Sequence, residues 1–165
     1  MDLKQLYQDI ILEHGKSPRN FGKCDGYNHV AKGHNPLCGD QVQVYLKMNE
    51  LKKVEDLSFE GSGCAISIAS TSIMTELVKG KNIETAKKIV LDFLNMIKNT
   101  QEIKSNDLNE DQKIKIMSLS GVKQYPMRVK CATLSWHTLV SALEGKKKEV
   151  NTEQIDWWVI SKIKL

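Results

Sequence analysis

Among the side chains of this 165-residue chain that can hold a metal or attack an electrophile, three cysteines stand in motifs suited to either task. Asn35-Pro36-Leu37-Cys38-Gly39-Asp40 sets a thiol and a carboxylate two positions apart before a strand. Alternate residues point to one side there, and Gly39 lets the backbone bend between them, so the pair forms a two-ligand claw. Gly61-Ser62-Gly63-Cys64 puts a second cysteine at a strand-to-helix turn, where free N–H groups and the helix macrodipole favour a thiolate. Pro126-Met127-Arg128-Val129-Lys130-Cys131 presents the third, read as a loop leading into a helix. Arg128 and Lys130 can stabilise a thiolate there or balance an anionic metal site. Singly, each motif also fits plain structure: a glycine turn, a solvated charge, or a cysteine packed as a small hydrophobe.

Together, Cys38, Asp40, Cys64 and Cys131 can converge on a Cys₃Asp tetrahedron, whose thiolates favour zinc. No C-x-x-C knuckle is present, so the set is not that of a structural finger, and the hard carboxylate points to an exchangeable position. A zinc hydrolase is the weaker alternative, because the deaminase pattern of H-x-E with P-C-x-x-C is absent. His34, four positions before Cys38, reads either as a fifth donor or as a loop residue. His137 reads as a packed or surface histidine, His14 and His29 lie in no motif, and Cys24 reads as a free thiol. The hydroxyls of Ser67, Ser70, Thr71 and Ser72 sit on a helix expected to be buried, where small polar residues allow close packing.

The elements that must position these groups are legible in the periodicity. Leu3, Leu6, Tyr7, Ile10 and Ile11 form one stripe of an N-terminal helix that Gly15 and Pro18 close. Val42, Val44, Leu46 and Met48 alternate as a half-covered strand, Val54–Phe59 follows as its hairpin partner, and Asn28–Gly33 adds a third strand. Helices are expected from Ile66 to Leu77, from Ile83 to Lys98, more weakly from Leu108 to Leu119, and from Cys131 to Leu143, with Gly121–Lys130 irregular. Strands first and helices afterwards indicate an α+β layout, with helices gathered mainly on one face of a small antiparallel sheet. The domain is expected to span residues 1–149. The tail, residues 150–165, carries Trp157 and Trp158 and is expected either to dock on the domain or to serve as a partner-binding strip.

A net charge of +4 is too mild to indicate nucleic acid without a basic stripe, and no run of eighteen apolar residues exists to cross a membrane. The N-terminus shows no basic segment followed by an apolar one, so a cytoplasmic protein is expected, with its cysteines acting as ligands or nucleophiles rather than disulfides.

The three motifs in this order resemble the SufU proteins, within the IscU-like group of iron–sulfur cluster assembly factors. The resemblance covers nearly the whole chain. It rests on Asn35–Asp40, on Gly61-Ser62-Gly63-Cys64-Ala65-Ile66-Ser67 with Ala69-Ser70 and Glu76, and on Arg128-Val129-Lys130-Cys131-Ala132-Thr133-Leu134-Ser135-Trp136. It implies a three-stranded antiparallel sheet and zinc bound by Cys38, Asp40, Cys64 and Cys131. It also implies a zinc-dependent sulfur carrier that takes persulfide sulfur from a SufS-type cysteine desulfurase, with Cys38 as acceptor and Arg128 a candidate to assist, and passes it to a downstream cluster-assembly scaffold. Cys38 is expected to be freed when a desulfurase ligand takes its place on the metal. The alternative is a scaffold on which a transient iron–sulfur cluster is built by the same thiolates. Lys130 stands where the scaffold proteins carry histidine, and the segment from about Asn99 to Gly121 resembles the SufU insertion. Both tilt the resemblance toward the carrier, which is either an enzyme or a co-substrate of the desulfurase.

Overall fold

The alternating residues build a hairpin pair. In a computed structural model of the chain, which describes residues 2–99 and 101–154, β1 (His29–Asn35), β2 (Asp40–Met48) and β3 (Val54–Ser62) pair antiparallel in sequence order. The buried side chains of Ala31, Val42, Val44, Leu46, Leu57 and Phe59 form one apolar face of this sheet. Helix α1 (Leu3–Lys16) precedes the sheet; α2 (Ala65–Val78), α3 (Ile83–Asn99), α4 (Glu110–Met117), a 3₁₀ helix at Ser118–Gln124, α5 (Pro126–Leu143) and the short β4 (Val150–Asn151) follow it. Helix α5 lies across β1 and β2, and α2 packs along α5 and β3. The helical layer is therefore laid on the face that the alternation marks as apolar.

The expected three-stranded antiparallel sheet is corrected by β4. The sheet has four strands in the order β3-β2-β1-β4, and β4 runs parallel to β1, with Gly33 opposite Val150 and His34 opposite Asn151. A two-residue strand carries no period, so hydropathy cannot announce it. Trp157 and Trp158 of the expected tail lie outside the described residues.

A second correction moves the start of the last helix. It begins at Pro126, so Arg128 and Cys131 lie inside α5 rather than in a loop before it. Proline at the first helical position loses no hydrogen bond, because that N–H would be unpaired anyway, and its fixed φ suits the helix. The weak helical signal between Leu108 and Leu119 resolves into α4, closed at its N-terminus by a reciprocal box of Asn109 and Gln112. Fully buried Ile116 and Leu119 seat this segment on the core, and Lys115 meets Glu76 of α2 at 2.7 Å.

The small hydroxyls of α2 are the joinery of the helical layer. Ser70 Oγ donates to Ala132 O at 2.6 Å and accepts from Trp136 Nε1 at 2.9 Å, which lets α2 and α5 approach closely. Trp136 also stacks on Phe93 of α3, with ring centroids 4.1 Å apart. Ser72 Oγ accepts from the backbone N–H of Arg19 at 2.8 Å and shares a 2.8 Å bond with His14 Nδ1, so the hydroxyl ties α1 to α2. Ser70→Ala would leave the buried Trp136 N–H without an acceptor. Denaturant unfolding of this variant is expected to show a loss of about 1–3 kcal/mol, and an unchanged midpoint would contradict this role.

Candidate metal centre

The turn from Pro36 to Gly39 joins β1 to β2, and the pair Asn35 and Asp40 closes it. Gly39 has φ +71, a left-handed conformation that costs glycine nothing and that brings Cys38 to the tip of the hairpin. Cys38 is half-buried, whereas Asp40 is fully buried. A buried carboxylate must find donors. Asp40 Oδ1 accepts from the backbone N–H of Cys64 at 2.9 Å, and Oδ2 accepts from Asn35 Nδ2 at 3.0 Å.

The first of those bonds joins the hairpin to the start of α2. Cys64 is the N-cap of that helix, and its Sγ accepts from Ser67 N at 3.4 Å. Gly63 leaves the space for the carboxylate: a Cβ added there would stand 2.3 Å from Asp40 Oδ1, and its φ of +148 is itself unfavourable for side chains. Cys131 comes from the second turn of α5 and is fully buried. Asn35 Nδ2 also donates to its Sγ at 3.5 Å.

Cys38, Asp40 and Cys131 therefore offer three ligand atoms that lie within 4.8 Å of one another. Cys64 is not in that triplet but is linked to two of its members, through its N–H to Asp40 and through a thiol hydrogen bond with Cys131. The two thiols hydrogen-bond to each other. The hydrogen bond from Cys131, opposed by desolvation and aided by the Ser67 N–H, holds Cys64 below the ordinary thiol range. Cys131 is pushed up, first by its bond to Cys64 and then by burial. A cation bound here would take the place of the hydrogen between the two sulfurs.

Arg128 is exposed on the first turn of α5. Its hydrogen bond with Cys131 and the charges of Cys64 and Cys38 raise the affinity of its guanidinium for the proton, so it stands over the thiol cluster as a fixed positive charge. His34 does not join the ligand group: it neighbours Asn35 on a strand, so its side chain faces the opposite side of the sheet. His137 is packed inside α5, and burial pushes its imidazole down to about 4. Cys24 is a buried free thiol. Asn35 is the residue that sequence reasoning passed over. The available signal was its place five residues before Asp40, where a closed hairpin turn brings the two side by side.

The donor set suits zinc: soft thiolates and one carboxylate, with the ligand atoms of Cys38, Asp40 and Cys131 gathered within 4.8 Å of one another. Fold and site together define a small α+β domain that gathers cysteine thiols and an aspartate where a hairpin tip meets two helix starts. The description "NifU-like N terminal domain" matches residues 6–132. The zinc-dependent sulfurtransferase SufU of Bacillus subtilis is 42% identical over 138 residues, covering 84% of this chain and 89% of the relative. The iron–sulfur cluster assembly scaffold protein IscU of Streptococcus pyogenes is 35% identical over 153 residues, covering 93% and 90%. A solved structure from Fervidobacterium islandicum, described as an iron–sulfur cluster assembly scaffold protein for the SUF system, matches with a TM-score of 0.73 and 37% identity, over 84% of this chain and 97% of that one. The chain belongs to the NifU-like N-terminal domain family, which includes SufU and IscU relatives.

Gly63→Ala tests the space beside Asp40. It is expected to weaken zinc binding about tenfold or more in chelator competition, with helix content retained by circular dichroism. Wild-type affinity in this variant would mean that the carboxylate is not held where the metal needs it.

Proposed function

We propose that this chain is a zinc-dependent sulfur carrier that accepts persulfide sulfur from a SufS-type cysteine desulfurase for iron–sulfur cluster assembly. The observation that carries the reading is the contrast in exposure within one donor set. Asp40 and Cys131 are buried and anchored; Cys38 and Cys64 are both half-exposed, and of these two Cys38 stands at a hairpin tip, where a second protein can reach it, whereas Cys64 is held as the cap of α2. The name and coverage of the Bacillus subtilis relative support the same reading.

Cys38, Asp40, Cys64 and Cys131 would hold the zinc. When bound, zinc keeps its thiolate ligands deprotonated at neutral pH. Cys38 is the sulfur acceptor. Its Sγ attacks the outer sulfur of the desulfurase persulfide, a new S–S bond forms on Cys38, and the desulfurase cysteine leaves as a thiolate. Arg128, exposed beside the cluster, assists by offsetting the negative charge that three sulfurs and a carboxylate concentrate at one surface point. Asp40 and Cys131 stay seated through their bonds to Asn35, so the transfer need not disturb the fold. The sulfur then passes to a downstream cluster-assembly scaffold in the cytoplasm. Among the described residues no helix is long and apolar enough to cross a membrane.

The second reading, a scaffold that carries a transient iron–sulfur cluster, draws on the IscU relatives. Lys130 favours the carrier. It stands next to Cys131 where an imidazole ligand would be needed, and it is engaged with Glu153 at 2.5 Å.

Metal content and desulfurase turnover, measured together on wild type and Cys38→Ala, separate the readings. A colourless protein with one zinc per chain, whose stimulation of the desulfurase is lost in the variant, is expected. Full stimulation by Cys38→Ala would remove Cys38 from the acceptor role, and a coloured cluster without stimulation would support the scaffold.

A further inference from the structure

The amide of Asn35 is fully buried and completely used. Nδ2 donates to Asp40 Oδ2 at 3.0 Å and to Cys131 Sγ at 3.5 Å, and Oδ1 accepts from the hydroxyl of Thr152 at 3.1 Å. Only one orientation of the amide does this. Turned over, it would set its carbonyl oxygen against the carboxylate and remove the amide donor from both Asp40 Oδ2 and Cys131 Sγ. Thr152, 3% exposed, supplies the third contact from a point 117 residues further along the chain.

That contact comes from the segment after α5, which the alternation of hydropathy does not reveal. Val150 and Asn151 pair with Gly33 and His34, and the Thr152 N–H donates to His34 O at 3.1 Å, so the backbone sets Thr152 directly beside the end of β1. The next residue fastens the segment to the helix that bears Cys131. Glu153 N donates to Asn151 Oδ1 at 2.9 Å, and its carboxylate meets Lys130 at 2.5 Å. The segment is thus held at the sheet edge and at the helix, with its threonine hydroxyl aimed at the amide between them.

We propose that Thr152 is a positioning residue for the metal centre: its hydroxyl holds the Asn35 amide with the N–H groups turned toward Asp40 and Cys131, and β4 thereby sets the affinity of the centre for zinc. This rests on the zinc reading above. Partners one step removed from a metal orient the ligands and tune them, and losing one typically costs tenfold to a hundredfold in affinity. Without the hydroxyl, Asn35 Oδ1 is a buried acceptor with no donor, and the amide relieves that only by moving away from the two ligands it anchors.

The test compares Thr152→Val, which keeps the shape and the backbone pairing, with Thr152→Ser, which restores the hydroxyl. Zinc affinity is read by competition with a chromophoric chelator, and the sulfur-to-metal absorption bands are read on cobalt-loaded protein. Thr152→Val is expected to bind zinc about tenfold or more weakly with altered bands, and Thr152→Ser to keep wild-type affinity and bands. In an Asn35→Leu background, Thr152→Val should cost nothing further, because the hydroxyl acts only through the amide. Melting of the metal-free proteins separates general destabilisation from the effect on the centre, and the Asn35→Leu comparison carries the test if Thr152→Val melts low. Unchanged affinity in Thr152→Val, or equal losses in the valine and serine variants, would overturn the inference. A wild-type chain that takes up no zinc would instead overturn the metal-centre reading, and this inference with it.

Discussion

A fully buried carboxylate organises this end of the molecule. Asp40 has no solvent to turn to, and burying such a group without donors costs several kcal/mol, about 2–7 for a neutral polar group and more for a charge. The chain answers with the first N–H before α2 and with the amide of Asn35. The backbone bond fixes how the hairpin tip meets α2. Gly63 follows from the same demand, since a side chain there would occupy the carboxylate's place. Cys131 is reached through the other hydrogen of the Asn35 amide, so a single polar group links hairpin, helix and sheet edge.

Rigid elements carry every member of this arrangement except Cys38. Asp40 begins a nine-residue strand, Cys64 caps a fourteen-residue helix, and Cys131 lies in an eighteen-residue one packed on the sheet. The cap position gives Cys64 a hydrogen bond that favours its thiolate, and the deeper burial of Cys131 works against its own. Cys38 and Cys64 are both half-exposed, and what sets Cys38 apart is the glycine turn that places it at the hairpin tip. Anchored ligands beside a thiol on a turn are what the proposed carrier would need to hold a metal and trade sulfur through one of its ligands.

Much of this was readable from residue types alone. Alternation from Val42 to Met48 marked β2 and its apolar face, and the glycines before Cys64 marked the strand-to-helix turn that the structure contains. Cys38 and Asp40 were read as neighbours on an extended segment, whereas Cys38 lies in the turn and the left-handed Gly39 sets its place beside Asp40; the hydroxyls of α2 were rightly read as packing residues. What stayed hidden depended on distance along the chain or on patterns too short to have a period. Val150–Asn151 is two residues long and gains its identity as a strand only from β1. The start of α5 was masked because Pro126 reads as a breaker, although at the first helical position it is a starter. Asn35 offered only its spacing to Asp40 as a signal, since its other partners lie ninety-six and one hundred and seventeen residues away.

In the proposed transfer Cys38, alone among the cysteines of the centre, receives the sulfur. The direct measurement is mass spectrometry of the intact protein and its peptides after incubation with a cysteine desulfurase and free cysteine, with thiols trapped under non-reducing conditions. The mass of one added sulfur is expected on the peptide containing Cys38, with Cys64 and Cys131 unmodified. Added sulfur on Cys64 or Cys131 with Cys38 unmodified would contradict the proposed transfer.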